Sequence, residues 1–200
     1  MTHTAERWDG ARIGILGGTF DPPHVGPGRM AGTARDVLGL DRVFFSVAPA
    51  PPHKQGEPVS AYPHRVAMVE AAVADDDGLA LTRIEESHTP SFTVDLLRAC
   101  RARTSADLYF IMGADSLAEL NSWREPEEVL RLATAVAFPR TGAAIRVPVA
   151  GGAAVVVFEE PVIDVSSTAV RARLARGEYP DDVPPAVAHY IERSRLYARA

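Results

Sequence analysis

Two clusters in this chain have the residue types and spacing to hold a polyphosphate. The first, Gly17-Gly18-Thr19-Phe20-Asp21-Pro22-Pro23-His24-Val25-Gly26, follows directly on the apolar run Ile13-Gly14-Ile15-Leu16. Glycines let a backbone approach a ligand without a Cβ in the way. A helix beginning near Gly26 presents unpaired N–H groups and partial positive charge to an anion, with the His24 imidazole as a further donor. The second cluster, Asp164-Val165-Ser166-Ser167-Thr168-Ala169-Val170-Arg171, sets three hydroxyls and a guanidinium at another helix start, with Arg173 close behind. Hydroxyls, helix amides and a guanidinium together make an oxyanion site. Each cluster also has a plainer reading, a turn for the first and a capped helix for the second.

For these clusters to act together, the chain must bring residues near 24 and near 171 to one place. The intervening sequence alternates strand and helix patterns. Val43 to Val47, Leu79 to Ile84, Leu108 to Met112, Thr134 to Phe138 and Ala154 to Phe158 read as strands after Ile13 to Leu16. Helical spacing appears at Met30, Ala31, Ala34, Val37 and Leu38 with Gly39 as a stop, and at Val66, Val69, Ala72 and Val73 behind a Ser60 cap. It recurs after Thr93 at Val94, Leu96, Leu97 and Cys100, from Pro126 to Leu132, from Ser166 to a stop at Gly177, and from Pro184 to Leu196. Apolar strands alternating with helices predict an α/β fold, a doubly wound, mostly parallel sheet closed by a small C-terminal helical segment. In such sheets ligands bind beyond the carboxyl ends of the strands. The loops holding His24, Lys54, Thr93, Asp115 and Ser166 to Arg171 are therefore expected at one edge, with Gly142 to Gly152 as a surface loop.

Composition narrows the partners. A net charge of −5 argues against a nucleic-acid or anionic-membrane binder and favours small molecules. With Cys100 alone, no internal disulfide or cysteine metal site can form. The first seven residues lack an apolar signal core and no apolar run approaches the ~18 residues of a membrane span, so a cytoplasmic protein is expected. A single lysine, Lys54, stands against twenty arginines, on a proline-stiffened loop beside His53. That position suits a compact point charge.

Gly-Gly-Thr-Phe-Asp-Pro-Pro-His-x-Gly near the start and Ser-Ser-Thr-x-x-Arg near the end resemble the nucleotidyltransferase α/β phosphodiesterase superfamily. Pro51-Pro52-His53-Lys54, Ser91-Phe92-Thr93, Gly113-Ala114-Asp115-Ser116-Leu117 with Trp123, and Tyr190-Ile191 to Leu196-Tyr197 narrow the likeness. Together they are similar to the bacterial nicotinate-nucleotide adenylyltransferases over nearly the whole chain. The resemblance implies a Rossmann-like fold in one nucleotidyltransferase domain, with an α/β core over about 10–165 and helices over 166–200 completing the ATP site. It implies transfer of AMP from ATP to nicotinate mononucleotide, giving deamido-NAD and pyrophosphate in NAD biosynthesis. Mg²⁺ is expected on the ATP phosphates, no protein-held metal is expected, and a homo-oligomer is left open.

By the same resemblance His24, Lys54 and Arg171 are the catalytic residues. Gly17, Gly18, Thr19, Phe20, Ser166, Ser167 and Thr168 hold ATP with them, Gly113 and Asp115 contact adenosine, and Thr93 and Trp123 recognise the nicotinate half. Read by themselves, Asp115 and Thr93 suit helix caps and Trp123 a core position. The chemistry suits the inventory, because a mononucleotide phosphate with its second pKa near ~6 is already ionised at neutral pH and needs no general base. The remaining tasks are alignment and charge neutralisation. One position departs from the pattern: the motif reads His-x-Gly-His, and here Pro27 stands at its fourth place, followed by Gly28. A charge-assisted donor is thereby lost, with Arg29 or His53 as candidate replacements. Two alternatives to the transferase reading are a catalytically weak nucleotide-binding relative and a phosphopantetheine-type adenylyltransferase.

Overall fold

The apolar runs form strands and the spaced apolar faces form helices, in strict alternation through the first eight elements. A computed structural model describes residues 8–51, 56, 58–87, 90–141, 155–162, 164–178 and 181–198. The order is β1 (Arg12–Gly18), α1 (Val25–Leu38), β2 (Arg42–Val47), α2 (Tyr62–Val73), β3 (Leu79–Thr82), α3 (Thr93–Arg101) and β4 (Asp107–Gly113). There follow α4 (Ala114–Ala118), α5 (Pro126–Leu132), β5 (Thr134–Phe138), β6 (Val155–Val157), α6 (Ser167–Leu174) and α7 (Pro185–Ser194).

The six strands make one sheet in the order β3-β2-β1-β4-β5-β6, every pair parallel. The chain winds outward from β1 to β3, then crosses to β4 and winds the other way. The change of direction falls between β1 and β4, which pair from Arg12↔Asp107 to Leu16↔Ile111. Loops leaving the carboxyl ends of these two strands diverge and open a crevice.

Alternation along β4 sends Leu108, Phe110 and Met112 to one layer and Tyr109 and Ile111 to the other. The first layer packs on Leu96, Leu97, Cys100, Leu117 and Leu132 of α3 to α5, the second on Met30, Ala31, Ala34, Val66 and Val69 of α1 and α2. A third apolar cluster joins Met68 of α2 to Val170 and Leu174 of α6 and to Val187 and Ile191 of α7. The far face of α2 is thus the seat of the C-terminal helices. No helix among the described residues is long and apolar enough to cross a membrane.

Gly39 ends α1 in the left-handed conformation at φ 61°, and Gly177 follows α6 at φ 76°. Several boundaries differ from expectation. The third strand stops at Thr82, whose hydroxyl accepts the Ile84 N–H at 3.2 Å and turns the chain out of the ladder. Helix α2 begins at Tyr62 behind Ala61 without a side-chain cap, and Ser60 instead gives its backbone N–H to Asp21 Oδ2 at 3.1 Å. Thr93 is the first residue of α3 and not its cap. Gly113, not Asp115, caps the short α4, whose five residues are too few to show a helical period. Ala154 and the loop 142–152 lie outside the described residues.

Candidate functional site

The crevice between β1 and β4 contains a cavity of about 730 Å³, within the usual range for small-molecule sites. Gly17, Gly18, Thr19, Phe20 and His24 line it from the first loop, and Gly113 and Asp115 from the end of β4. Thr93 and Trp123 line it from the α3 and α4 side, where the Trp123 ring meets Phe110 edge-on at 6.1 Å. Lys54 and His53 lie outside the described residues.

The two glycines of the loop have different reasons. A Cβ on Gly18 would stand 2.8 Å from the Phe20 ring, which folds back over it with Phe20 at φ 50°. A Cβ on Gly17 would make only an ordinary contact with Phe110, at 3.5 Å. A side chain at 18 would thus collide with Phe20. At Gly113 a Cβ would meet nothing within 4 Å, so the backbone there is open to whatever fills the cavity.

His24 is the N-cap of α1, and its Nδ1 accepts the Gly26 N–H at 3.2 Å. An accepting Nδ1 leaves the proton of a neutral imidazole on Nε2. Burial pushes the His24 pKa down to about 4; Asp182 opposes this and Arg140 adds to it. The ring is therefore an uncharged donor through Nε2. The Val25 N–H goes to the Asp182 carbonyl at 2.8 Å, and Pro27 has none. All three first-turn positions of α1 are closed to an anion, which corrects the expectation that this helix start supplies amides. The start of α3 is different: Phe92 caps it without any side-chain bond, beside the cavity.

The second cluster reaches the first. Ser166 caps α6, its hydroxyl accepting the Ala169 N–H at 3.2 Å. Ser167 Oγ donates to the Pro22 carbonyl at 2.9 Å. Arg171 donates through one nitrogen to the Asp21 carbonyl at 2.7 Å and through the other to Thr168 Oγ1 at 3.4 Å. Thr168 and Arg171 line a smaller cavity of about 240 Å³ behind Thr19 to Asp21, and Ser167 touches both cavities. Arg171 therefore clasps the loop that forms the larger cavity. Asp115, in the first turn of α4, pairs with Arg140 at 2.7 Å.

Behind the loop lies a layer that sequence reasoning missed. Arg65 is 1% exposed and donates to four main-chain carbonyls: Ser60 at 2.9 Å, Thr19 at 2.9 Å, Ala48 at 2.8 Å and Pro49 at 3.1 Å. It ties the loop after β1 to the loop after β2. Asp21, 2% exposed, accepts from Tyr197 Oη at 2.5 Å as well as from the Ser60 amide. Burial and the Asp21 bond hold the Tyr197 phenol protonated far above its usual range. Ser91 gives its N–H to the Ala50 carbonyl and accepts the Ala50 N–H, both at 3.1 Å, joining the α3 approach to the same β2 loop. An arginine amid Val66, Met68 and Val69 carries no signal of burial in the sequence, and Tyr197 stands 176 residues from its partner.

Residues 15–173 match the family model described as cytidylyltransferase-like. A protein of Exiguobacterium sibiricum named "Probable nicotinate-nucleotide adenylyltransferase" is 40% identical over 190 residues, covering 94% of this chain and 99% of the relative. One of Thermus thermophilus with the same name is 41% identical over 189 residues, covering 93% and 99%. A solved structure of Plasmodium falciparum nicotinic acid mononucleotide adenylyltransferase complexed with NaAD superposes with a TM-score of 0.78 at 18% identity, covering 94% of this chain and 98% of that one. That last likeness speaks for the fold alone.

Proposed function

The chain belongs to the cytidylyltransferase-like family, among the nicotinate-nucleotide adenylyltransferases, and on that footing we propose that it transfers AMP from ATP to nicotinate mononucleotide in NAD biosynthesis. The carrying observation is the meeting of the two clusters. Arg171 and Ser167 hold the carbonyls of Asp21 and Pro22 at the mouth of a cavity fit for small ligands.

In the proposed reaction an oxygen of the acceptor phosphate attacks the α-phosphorus of ATP. The bond from that phosphorus to the oxygen bridging to the β-phosphate breaks, and pyrophosphate departs with the electron pair. Deamido-NAD is the other product. The acceptor phosphate is ionised at neutral pH, its second pKa being near ~6, so no side chain has to take a proton. The protein's part is alignment and neutralisation of charge. His24 contributes a neutral Nε2–H; Lys54, Ser166, Ser167, Thr168 and Arg171 are assigned to the ATP phosphates, and Gly113 and Asp115 to adenosine. The start of α3 at Thr93, which no side chain caps and which lines the same cavity as Trp123, is assigned to the nicotinate ring and its carboxylate, since a helix start suits an anion.

Mg²⁺ is assigned to the ATP phosphates, where it supplies charge neutralisation. Among the described residues no three His, Cys, Asp or Glu side chains gather to hold a metal ion. The 10–165 core and the 166–200 helices are taken as one catalytic domain acting in the cytoplasm.

Pyrophosphate release from ATP tests the reading, with nicotinate mononucleotide, nicotinamide mononucleotide or phosphopantetheine as acceptor. Release with nicotinate mononucleotide alone is expected. Release with phosphopantetheine, or ATP binding without release, overturns it, the latter favouring the catalytically weak relative that Pro27 suggests.

A further inference from the structure

The larger cavity has to receive two nucleotides carrying several negative charges, a requirement that rests on the reading above. Among the described residues its walls offer few charged donors. The Val25 and Gly26 amides are bonded, Pro27 lines the cavity without an N–H, and Arg171 lines the smaller cavity, with one nitrogen on the Asp21 carbonyl. Among the described residues two guanidiniums line the cavity, Arg124 and Arg140. Arg124 lies over the Phe92 ring at 5.0 Å and pairs with Asp95 at 3.4 Å and Glu125 at 3.6 Å. Its charge is shared between two carboxylates and a ring face.

Arg140 is placed differently. It leaves the end of β5, beside β4 in the sheet, and pairs with Asp115 at 2.7 Å, the two side chains being 46% and 55% exposed. An ion pair this open to water contributes little. A phosphate offers a higher charge and two oxygens matched to the guanidinium fork, so it competes for Arg140 at small cost. The electrostatic influence of Arg140 on His24 is consistent with both groups facing the same space.

We infer that Arg140 is a further catalytic residue: its guanidinium exchanges Asp115 for a phosphate oxygen of the reacting nucleotides, supplying within the cavity the donor that Pro27 cannot. No bond beyond N–H···O forms, and the charge held is that shifting onto the departing pyrophosphate or carried by the acceptor phosphate.

The test is a cycle of Arg140→Gln and Pro27→His, singly and together, with Arg140→Lys as a milder variant. Turnover, KM for ATP and KM for nicotinate mononucleotide are measured, with calorimetric binding of ATP alone and thermal midpoints as controls. Arg140→Gln is expected to lower kcat/KM about 100-fold with an unchanged thermal midpoint, in the range for loss of one transition-state donor. Arg140→Lys recovers about tenfold of that. With Pro27→His in place the loss shrinks to about tenfold, a coupling of ~1.4 kcal/mol. A loss in KM for ATP assigns the contact to an ATP phosphate, a loss in KM for the mononucleotide to the acceptor phosphate, and a loss in kcat to the transition state; each supports the inference. Losses below about threefold, or equal losses in both backgrounds, overturn it. If the natural chain releases no pyrophosphate, the functional reading fails separately. ATP affinity then decides for Arg140: weakening of tenfold or more by Arg140→Gln supports its role, and unchanged affinity overturns it.

Discussion

Replacing Arg65 by methionine removes four hydrogen bonds at once while nearly filling the space. The orphaned carbonyls belong to Thr19, Ala48, Pro49 and Ser60. At about 1–3 kcal/mol for each buried acceptor left unmade, the upper bound is roughly 4–12 kcal/mol. Two effects reduce it. All four residues are only half-buried, so water reaches some of the carbonyls. The buried cation is itself disfavoured, its pKa drawn down by desolvation against the pull of Asp21, so removing it returns part of the cost. We expect a net loss of about 2–4 kcal/mol for Arg65→Met. Arg65→Lys, which keeps the charge but not the fork, should lose about half as much. Urea denaturation at pH 7 measures both. Because the carbonyls sit on loops at the mouth of the cavity, KM for ATP should rise in step. A loss below about 1 kcal/mol for the methionine variant, or a full loss with unchanged KM, would refute the argument.

Three further outcomes are expected. His24 binds a proton near pH 4 when folded and near 6.5 when unfolded, so the unfolded chain holds more protons between these values; the His24 contribution therefore falls by about 3 kcal/mol from pH 7 to pH 4. His24→Asn, which keeps a cap without a titrating group, should remove that part of the pH dependence in urea titrations at pH 7, 5.5 and 4; identical slopes for both proteins would count against it. Gly18→Ala should destabilise by about 1–3 kcal/mol because the new methyl meets the Phe20 ring, whereas Gly113→Ala should leave stability within about 0.5 kcal/mol and raise KM; thermal melts and initial rates separate the two. Tyr197→Phe leaves a buried Asp21 oxygen short of its donor and should cost about 1–3 kcal/mol, read as a lower urea midpoint.

What the sequence made legible was local. Strand cores such as Leu108 to Met112, the left-handed stop at Gly39 and the Ser166 cap each depend on a few adjacent residues, and each stands where expected. A doubly wound parallel sheet followed from alternation alone; its strand order did not. The closed α1 start was not legible, since it depends on the carbonyl of Asp182, far along the chain. Nor was Arg65 legible, because a guanidinium bonded to carbonyls needs no acidic neighbour to announce it. For Gly18 the residue type was right for a reason only the folded loop reveals, the return of Phe20 over its own approach. Arg140 had no motif of its own, and only its place beside Asp115 gives it meaning.

The contact between Tyr197 and Asp21 bears on the order in which the molecule comes into being. Strand β1 and its loop leave the ribosome early, yet the phenol that fixes Asp21 is made 176 residues later. At about 5–20 residues per second that interval is roughly 10–35 s. The sheet can grow pair by pair as its strands emerge, while the loop after β1 waits for Tyr197. A nascent chain stalled within this window carries a nearly finished sheet and a loop after β1 that still lacks its Tyr197 contact.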